Sequence, residues 1–120
     1  MRATLAAAAA VAAFGGPSIA AEPEDYLLET ASDLAALCSA PADASAIHMC
    51  QGFMVGAHRV FDTIGHALGD PLYCIPTDGS VSRDTAVTDF VAWVAANPDV
   101  ASMPPSDGLL RWARTAYPCS

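Results

Sequence analysis

The sequence predicts an all-α fold: a small four-helix domain stapled by two disulfides and preceded by a signal peptide. Three observations lead there. Apolar residues from Ile47 to Leu68 recur in steps of three and four, and no strand pattern of comparable quality occurs elsewhere. Cys38, Cys50, Cys74 and Cys119 form an even set in a chain of 120 residues, too short to bury a large core unaided. The N-terminus carries the three-part pattern of an export signal.

In that N-terminal segment Arg2 is the positive end, Leu5 to Phe14 the apolar stretch, and Gly15, Gly16 and Pro17 the break. Ser18 and Ala20 put small residues where signal peptidase needs them for a cut after Ala20. A cut after Ala21 would place the larger Ile19 at the outer of those two positions. The signal peptide is assigned to residues 1–21 and the helical domain to residues 22–120. The apolar stretch is too short to span the roughly 30 Å of bilayer hydrocarbon, and no other segment is apolar enough to do so. The domain is therefore expected in the periplasm, where disulfides persist. Thirteen carboxylates face five arginines and no lysine, a net charge of -8. That excludes nucleic acid and anionic membrane surfaces, which are bound through basic patches.

Glu22 to Tyr26 reads as a polar lead-in. Leu27 and Leu28 fit either a backward extension of the first helix or an extended run. Thr30-Ala31-Ser32-Asp33 has the form of a capping box with Asp for the usual Glu or Gln. It opens a first helix over Thr30 to Ser39 that buries Leu34, Leu37 and Cys38. Ala40 to Ala44, with Pro41, is a turn. The second helix buries Ile47, Cys50, Met54, Ala57, Phe61, Ile64 and Leu68. Gly52 and Gly56 lie beside this stripe, with Gly65 a third. Each glycine costs a helix about 1 kcal/mol against alanine, so the pair predicts close approach of another backbone. Gly69-Asp70-Pro71 ends the helix. "LYCIPTDGS", Leu72 to Ser80, is a loop. Ser82 caps a third helix that runs through Asn97 with Val87, Phe90, Val91 and Val94 inward, and Pro98 stops it. "DVASMPPSD" is a connector. A fourth helix, Ser106 to Ala116, buries Leu109, Trp112 or Leu110, Ala113 and Ala116.

Four cysteines allow three pairings, and reach disfavours one of them. From Cys50 to Leu68 the helix rises about 27 Å, and the six residues to Cys74 return at most about 20 Å. Disulfide-bonded Cα atoms lie within about 7 Å, so Cys50–Cys74 demands a fully stretched return. Of the other two, Cys38–Cys50 with Cys74–Cys119 is preferred over Cys38–Cys74 with Cys50–Cys119. It staples the first helical hairpin and pins the C-terminus to the loop before the third helix.

The chain assembles no recognisable catalytic centre. The cysteines match no common zinc spacing. His58, Asp62 and His66 recur every four residues but span about 12 Å, too far for one ion. The cysteines are better spent in bridges than as nucleophiles. No Gly-x-Ser-x-Gly and no phosphate-cradling glycine loop occurs. His48 reads as a hairpin-turn residue, and Trp93 and Trp112 as core or edge packing. No cofactor or metal is expected, and the chain reads as a binding protein rather than an enzyme.

"DLAALCS" (Asp33 to Ser39), "CQGFMVG" (Cys50 to Gly56), "YCIP" (Tyr73 to Pro76), "AANPDVASMPPSDGLLRWA" (Ala95 to Ala113) and "YPC" (Tyr117 to Cys119) resemble the Rap/Tai family of immunity proteins. Those proteins belong to type VI secretion amidase effector systems. The resemblance spans nearly the whole domain. It implies an exported helical protein that blocks a peptidoglycan amidase by filling its cleft with a helix or loop, often as a homodimer. Two elements could do so here: the loop, through Tyr73, Ile75, Thr77 and Asp78, and the polar face of the second helix, through His58, Arg59 and Asp62. The family usually carries an acidic residue three positions after the second glycine of Gly-aromatic-x-x-Gly, where this chain has Arg59. The alternative reading is a small periplasmic binding or acid-protective chaperone-like helical protein with no amidase partner.

Overall fold

The computed structural model describes residues 21–120. The segment expected to be a signal peptide therefore lies, except for Ala21, outside the described residues. A 3-10 helix, Pro23–Leu27, leads into five α-helices: α1 (Ala31–Cys38), α2 (Ala44–Leu68), α3 (Arg83–Ala96), α4 (Pro98–Ala101) and α5 (Pro105–Ala116). The described residues contain no strand. The four expected helices are all present. The fifth, α4, is a single turn inside the expected connector, with Pro98 at its first position, where a missing N–H costs nothing. Pro98 thus ends α3 and begins α4.

α1 is short but central, touching the 3-10 helix and all four other α-helices. Its capping box forms as the sequence predicts. Asp33 N–H donates to Thr30 Oγ1 (3.2 Å), and Thr30 N–H donates to Asp33 Oδ2 (2.9 Å). Ala31, Leu34 and Leu37 are fully buried. The lead-in is tied down by Asp43, which joins two elements. Its Oδ1 accepts the Ser45 and Ala46 N–H groups, both at 3.1 Å, to cap α2, and its Oδ2 accepts the Tyr26 hydroxyl at 3.2 Å. Between them Leu27 ends the 3-10 helix and Leu28 turns the chain in the left-handed region at φ 52°.

Both preferred disulfides are present. Cys38–Cys50 ties α1 to α2 with Cα atoms 5.1 Å apart, and Cys74–Cys119 ties the loop to the C-terminus at 5.0 Å. Chain-entropy estimates give about 3 and about 4 kcal/mol for closing the two loops. The first bond lies in the core, where Cys50 is fully buried, whereas Cys74 and Cys119 are exposed.

Packing corrects four expectations. α2 starts three residues before Ile47, so His48 is helical rather than part of a turn. Cys50, Met54 and Phe61 face the core, but Gly65 takes the place expected for Ile64 and Leu68, which are 41% and 68% exposed. α2 overshoots the short α1, so its last turns have no partner for those side chains. In α5, Leu109, Trp112 and Ala113 are buried but Ala116 is exposed. The glycines also divide unexpectedly. A Cβ on Gly52 or Gly56 would meet nothing within 4 Å. The close approach lies at Gly108 of α5, where a Cβ would stand 2.6 Å from Ala31 Cβ and 3.3 Å from Val100 Cγ1.

These contacts set opposite expectations for two glycine-to-alanine changes. Gly108→Ala must push α1 and α5 apart and is expected to cost about 1–3 kcal/mol. Within a single copy Gly52→Ala meets open space, and the dissociated protein is expected to gain up to about 1 kcal/mol from helix propensity. Urea unfolding with both disulfides intact checks the pair; equal midpoints would show that α5 does not need Gly108 to seat on α1.

Candidate functional site

The loop between α2 and α3 owes its position to both ends of its neighbours. At its start, Gly69 caps α2 in the left-handed region (φ 70°), and its N–H donates to the Gly65 and His66 carbonyls. The chain then folds back onto the helix, bringing Pro71 Cα within 3.2 Å of where a Gly65 Cβ would stand. In the middle, Cys74 is bonded to Cys119, and Cys74 N–H donates to the Tyr117 carbonyl at 2.8 Å. At the tip, Gly79 adopts φ 82°, and Ser80 N–H donates to Asp78 Oδ1 at 2.9 Å. The Ser80 hydrogen bonds hold the Asp78 carboxyl below its ordinary range. Thr77 and Asp78 are exposed.

Tyr73 organises the base of the loop. Its hydroxyl shares a hydrogen bond of 2.7 Å with His58 Nδ1, and its ring meets Phe61 edge-on at 6.2 Å between centroids. Burial, with the Asp62 charge as a second cause, pushes the phenol up to about 12. The ring partitions two hollows. One, of about 260 Å³, is bordered by polar groups including Asp62, His66 and Asp70. The other, of about 210 Å³, is apolar and opens between α2, α3 and α5 beneath the loop.

Of the residues singled out in the sequence, the structure brings His58, Asp62, Tyr73 and Ile75 together around this base. Thr77 and Asp78 stand apart at the tip. Arg59 is exposed on α2, pointing about 100° around the helix from His58. Among the described residues no three His, Cys, Asp or Glu side chains converge on a point that could hold a metal ion. His58, a candidate ligand, already spends Nδ1 on Tyr73.

The sequence reading missed a second apolar face on α2. Met49, Val60 and Ile64 are 37%, 57% and 41% exposed, and Phe53 beside them is half-buried. Phe53 and Val60, with Gly52, Gly56, Ala57 and Phe61, line a shallow cleft that Ser106 borders. Its signal was in the sequence: Met49, Phe53, Gly56 and Val60 are spaced four, three and four, the seam of a helix pair.

The family model for Rap1a immunity proteins matches residues 30–119, three quarters of the chain. The chain belongs to the Rap1a immunity protein family. The match starts at the Thr30 cap of α1 and ends at Cys119, so it takes in all five α-helices and both disulfides. Searches of curated proteins and of solved structures found no match. Among the described residues no helix of this Rap1a protein is long and apolar enough to cross a membrane.

The Tyr73 phenol fixes a pH dependence. Its folded pKa lies above the ordinary value of 10, so its stabilising effect is complete below pH 10 and lost as pH rises toward 12. Stability of the oxidised protein is expected to fall through that window, and Tyr73→Phe is expected to flatten the fall. Brief urea unfolding at stepped pH, with tyrosinate absorbance, checks this; an unchanged slope in Tyr73→Phe would assign the fall to other groups.

Proposed function

We propose that this immunity protein acts in the periplasm, where it binds a peptidoglycan amidase delivered by a type VI secretion system and blocks its cleft. It works by occupancy, not by chemistry. The observation that carries the reading is the loop Leu72–Ser80, fixed covalently at Cys74 and exposed at Thr77 and Asp78. A protrusion already ordered before contact loses little conformational entropy on entering a cleft. The family match supports the immunity role, and the export pattern and paired cysteines favour an oxidising compartment. The acidic surface suits a basic partner and does not suit nucleic acid.

The same reading includes a homodimer formed through the outward face of α2. Open space at Gly52 and Gly56 lets a second backbone approach, and Met49, Val60 and Ile64 supply apolar area that is wet in a single copy. A second copy of α2 is the partner with the matching seam.

Two outcomes follow. Co-expression in the periplasm with a panel of cell-wall amidases is expected to rescue cells from lysis with one of them. The double change Thr77→Trp and Asp78→Lys is expected to remove that rescue while secondary structure and melting hold; rescue by the double variant would remove the loop from the contact. For the dimer, Val60→Glu alters a largely exposed side chain and is expected to leave the fold intact but halve the mass by sedimentation. A wild-type protein that sediments as a single copy at micromolar concentration would rule that interface out.

A further inference from the structure

The apolar hollow beneath the loop is a site in its own right. Its floor is the core itself: Met54, Val87, Leu109, Trp112 and Ala113 are all buried, yet a space of about 210 Å³ remains above them. It arises because α2 packs chiefly on α1 and meets α3 and α5 only over short stretches, while the cross-linked loop roofs the gap with Tyr73 and Ile75. An enclosed apolar cavity of about 150 Å³ holds benzene; this hollow, of about 210 Å³ and open on one side, has room for a phenyl group or a short alkyl chain.

The rim states the rest of the chemistry. In a chain where acids outnumber arginines 13 to 5, the lining includes Arg83 and no carboxylate. The nearest acid in sequence, Asp84, is instead engaged by Gln51 Nε2 at 3.4 Å. The other titratable groups of the lining are His58, Tyr73 and Tyr117, and His58 and Tyr73 are bonded to each other. Arg83 is thus the one arginine of a lining without carboxylates, while the charges of Asp62 and Asp89 act on Tyr73 and Tyr117 from beyond it. We propose that this cavity binds a small apolar molecule carrying a carboxylate, its apolar body between α2, α3 and α5 and its carboxylate at Arg83. The site does not depend on the identity of any effector.

The test uses the oxidised protein alone. Amide shifts are followed by NMR during titration with 3-phenylpropionate and with its neutral counterpart 3-phenylpropanol. Saturable shifts at Ile75, Val81, Ala86 and Ala113 are expected, with one acid bound per chain. The acid is expected to bind up to about five-fold more tightly than the alcohol, the scale of one exposed ion pair. Arg83→Gln is expected to erase that preference while keeping both bound. Ala86→Phe and, separately, Val55→Trp fill the cavity from opposite walls and are expected to abolish saturation. Lack of saturation by either probe at about 10 mM, ten times a Kd of about 1 mM, would overturn the proposal. So would shifts mapping to another face, or undiminished binding in a well-folded filled variant. Equal affinity for acid and alcohol in the wild-type protein would overturn the carboxylate assignment.

Discussion

The bond between Cys74 and Cys119 is the constraint on which the loop end of this molecule depends. Three features meet at it: the return of the chain from α2, the end of α5, and the roof over the apolar hollow. The neighbouring hydrogen bond from Cys74 N–H to the Tyr117 carbonyl shows that the cross-link holds the two strands of chain in register. Tyr117 in turn packs its ring edge-on against Trp112, which does the same against Phe90. The clasp is therefore continuous with the core, and a cysteine one residue from the chain end becomes a structural anchor instead of a frayed thiol.

The other half rests on α1. Eight residues contact every other helix, and two devices let so short an element do this. One is the disulfide to α2. The other is small size where helices cross: Ala31 faces Gly108 with no room for another methyl group. The Ala31 N–H also donates to the Met103 carbonyl at 2.8 Å, so the connector between α4 and α5 is fastened to the first turn of α1. Hydrophobic burial alone is weak in a domain of about 100 residues. Here it is concentrated on one central helix and backed by covalent closure.

Helix positions and caps were legible because each rests on local chemistry, whereas chain reach bore on the disulfides without deciding between two of the three pairings. Thr30 and Asp33 specify a box, Gly69 before Asp70-Pro71 specifies a stop, and reach from Cys50 to Cys74 disfavours one pairing. What was not legible was which side of α2 meets the core. Its apolar residues cover about half the wheel at 100° per residue, from Gly56 and Met49 round to Met54, so periodicity finds the helix without choosing its face. Ile64 and Leu68 fitted the inward stripe equally well and lost because α1 ends too soon to cover them. Glycines misled for a related reason: Gly52 and Gly56 advertise close approach, but sequence does not say whether the approaching backbone belongs to the same chain. Gly108 gave no such signal, since its partner Ala31 lies far away in sequence. The hollow under the loop was invisible for the same cause, being a gap between helices whose separation depends on packing.

α2 thus presents three surfaces with different consequences. One side, from Cys50 to Gly65, belongs to the core and fixes the helix. The outward apolar side, from Met49 to Ile64, stays partly exposed. The third side carries His58 and Asp62 toward the base of the loop, where Tyr73 links them to Ile75 and the hollow beyond. The loop has a matching division. Its inner residues, Tyr73 and Ile75, are committed to the hollow, while Thr77 and Asp78 are free for contact outside. Cys74, bonded to Cys119 beyond the end of α5, sits between Tyr73 and the exposed tip.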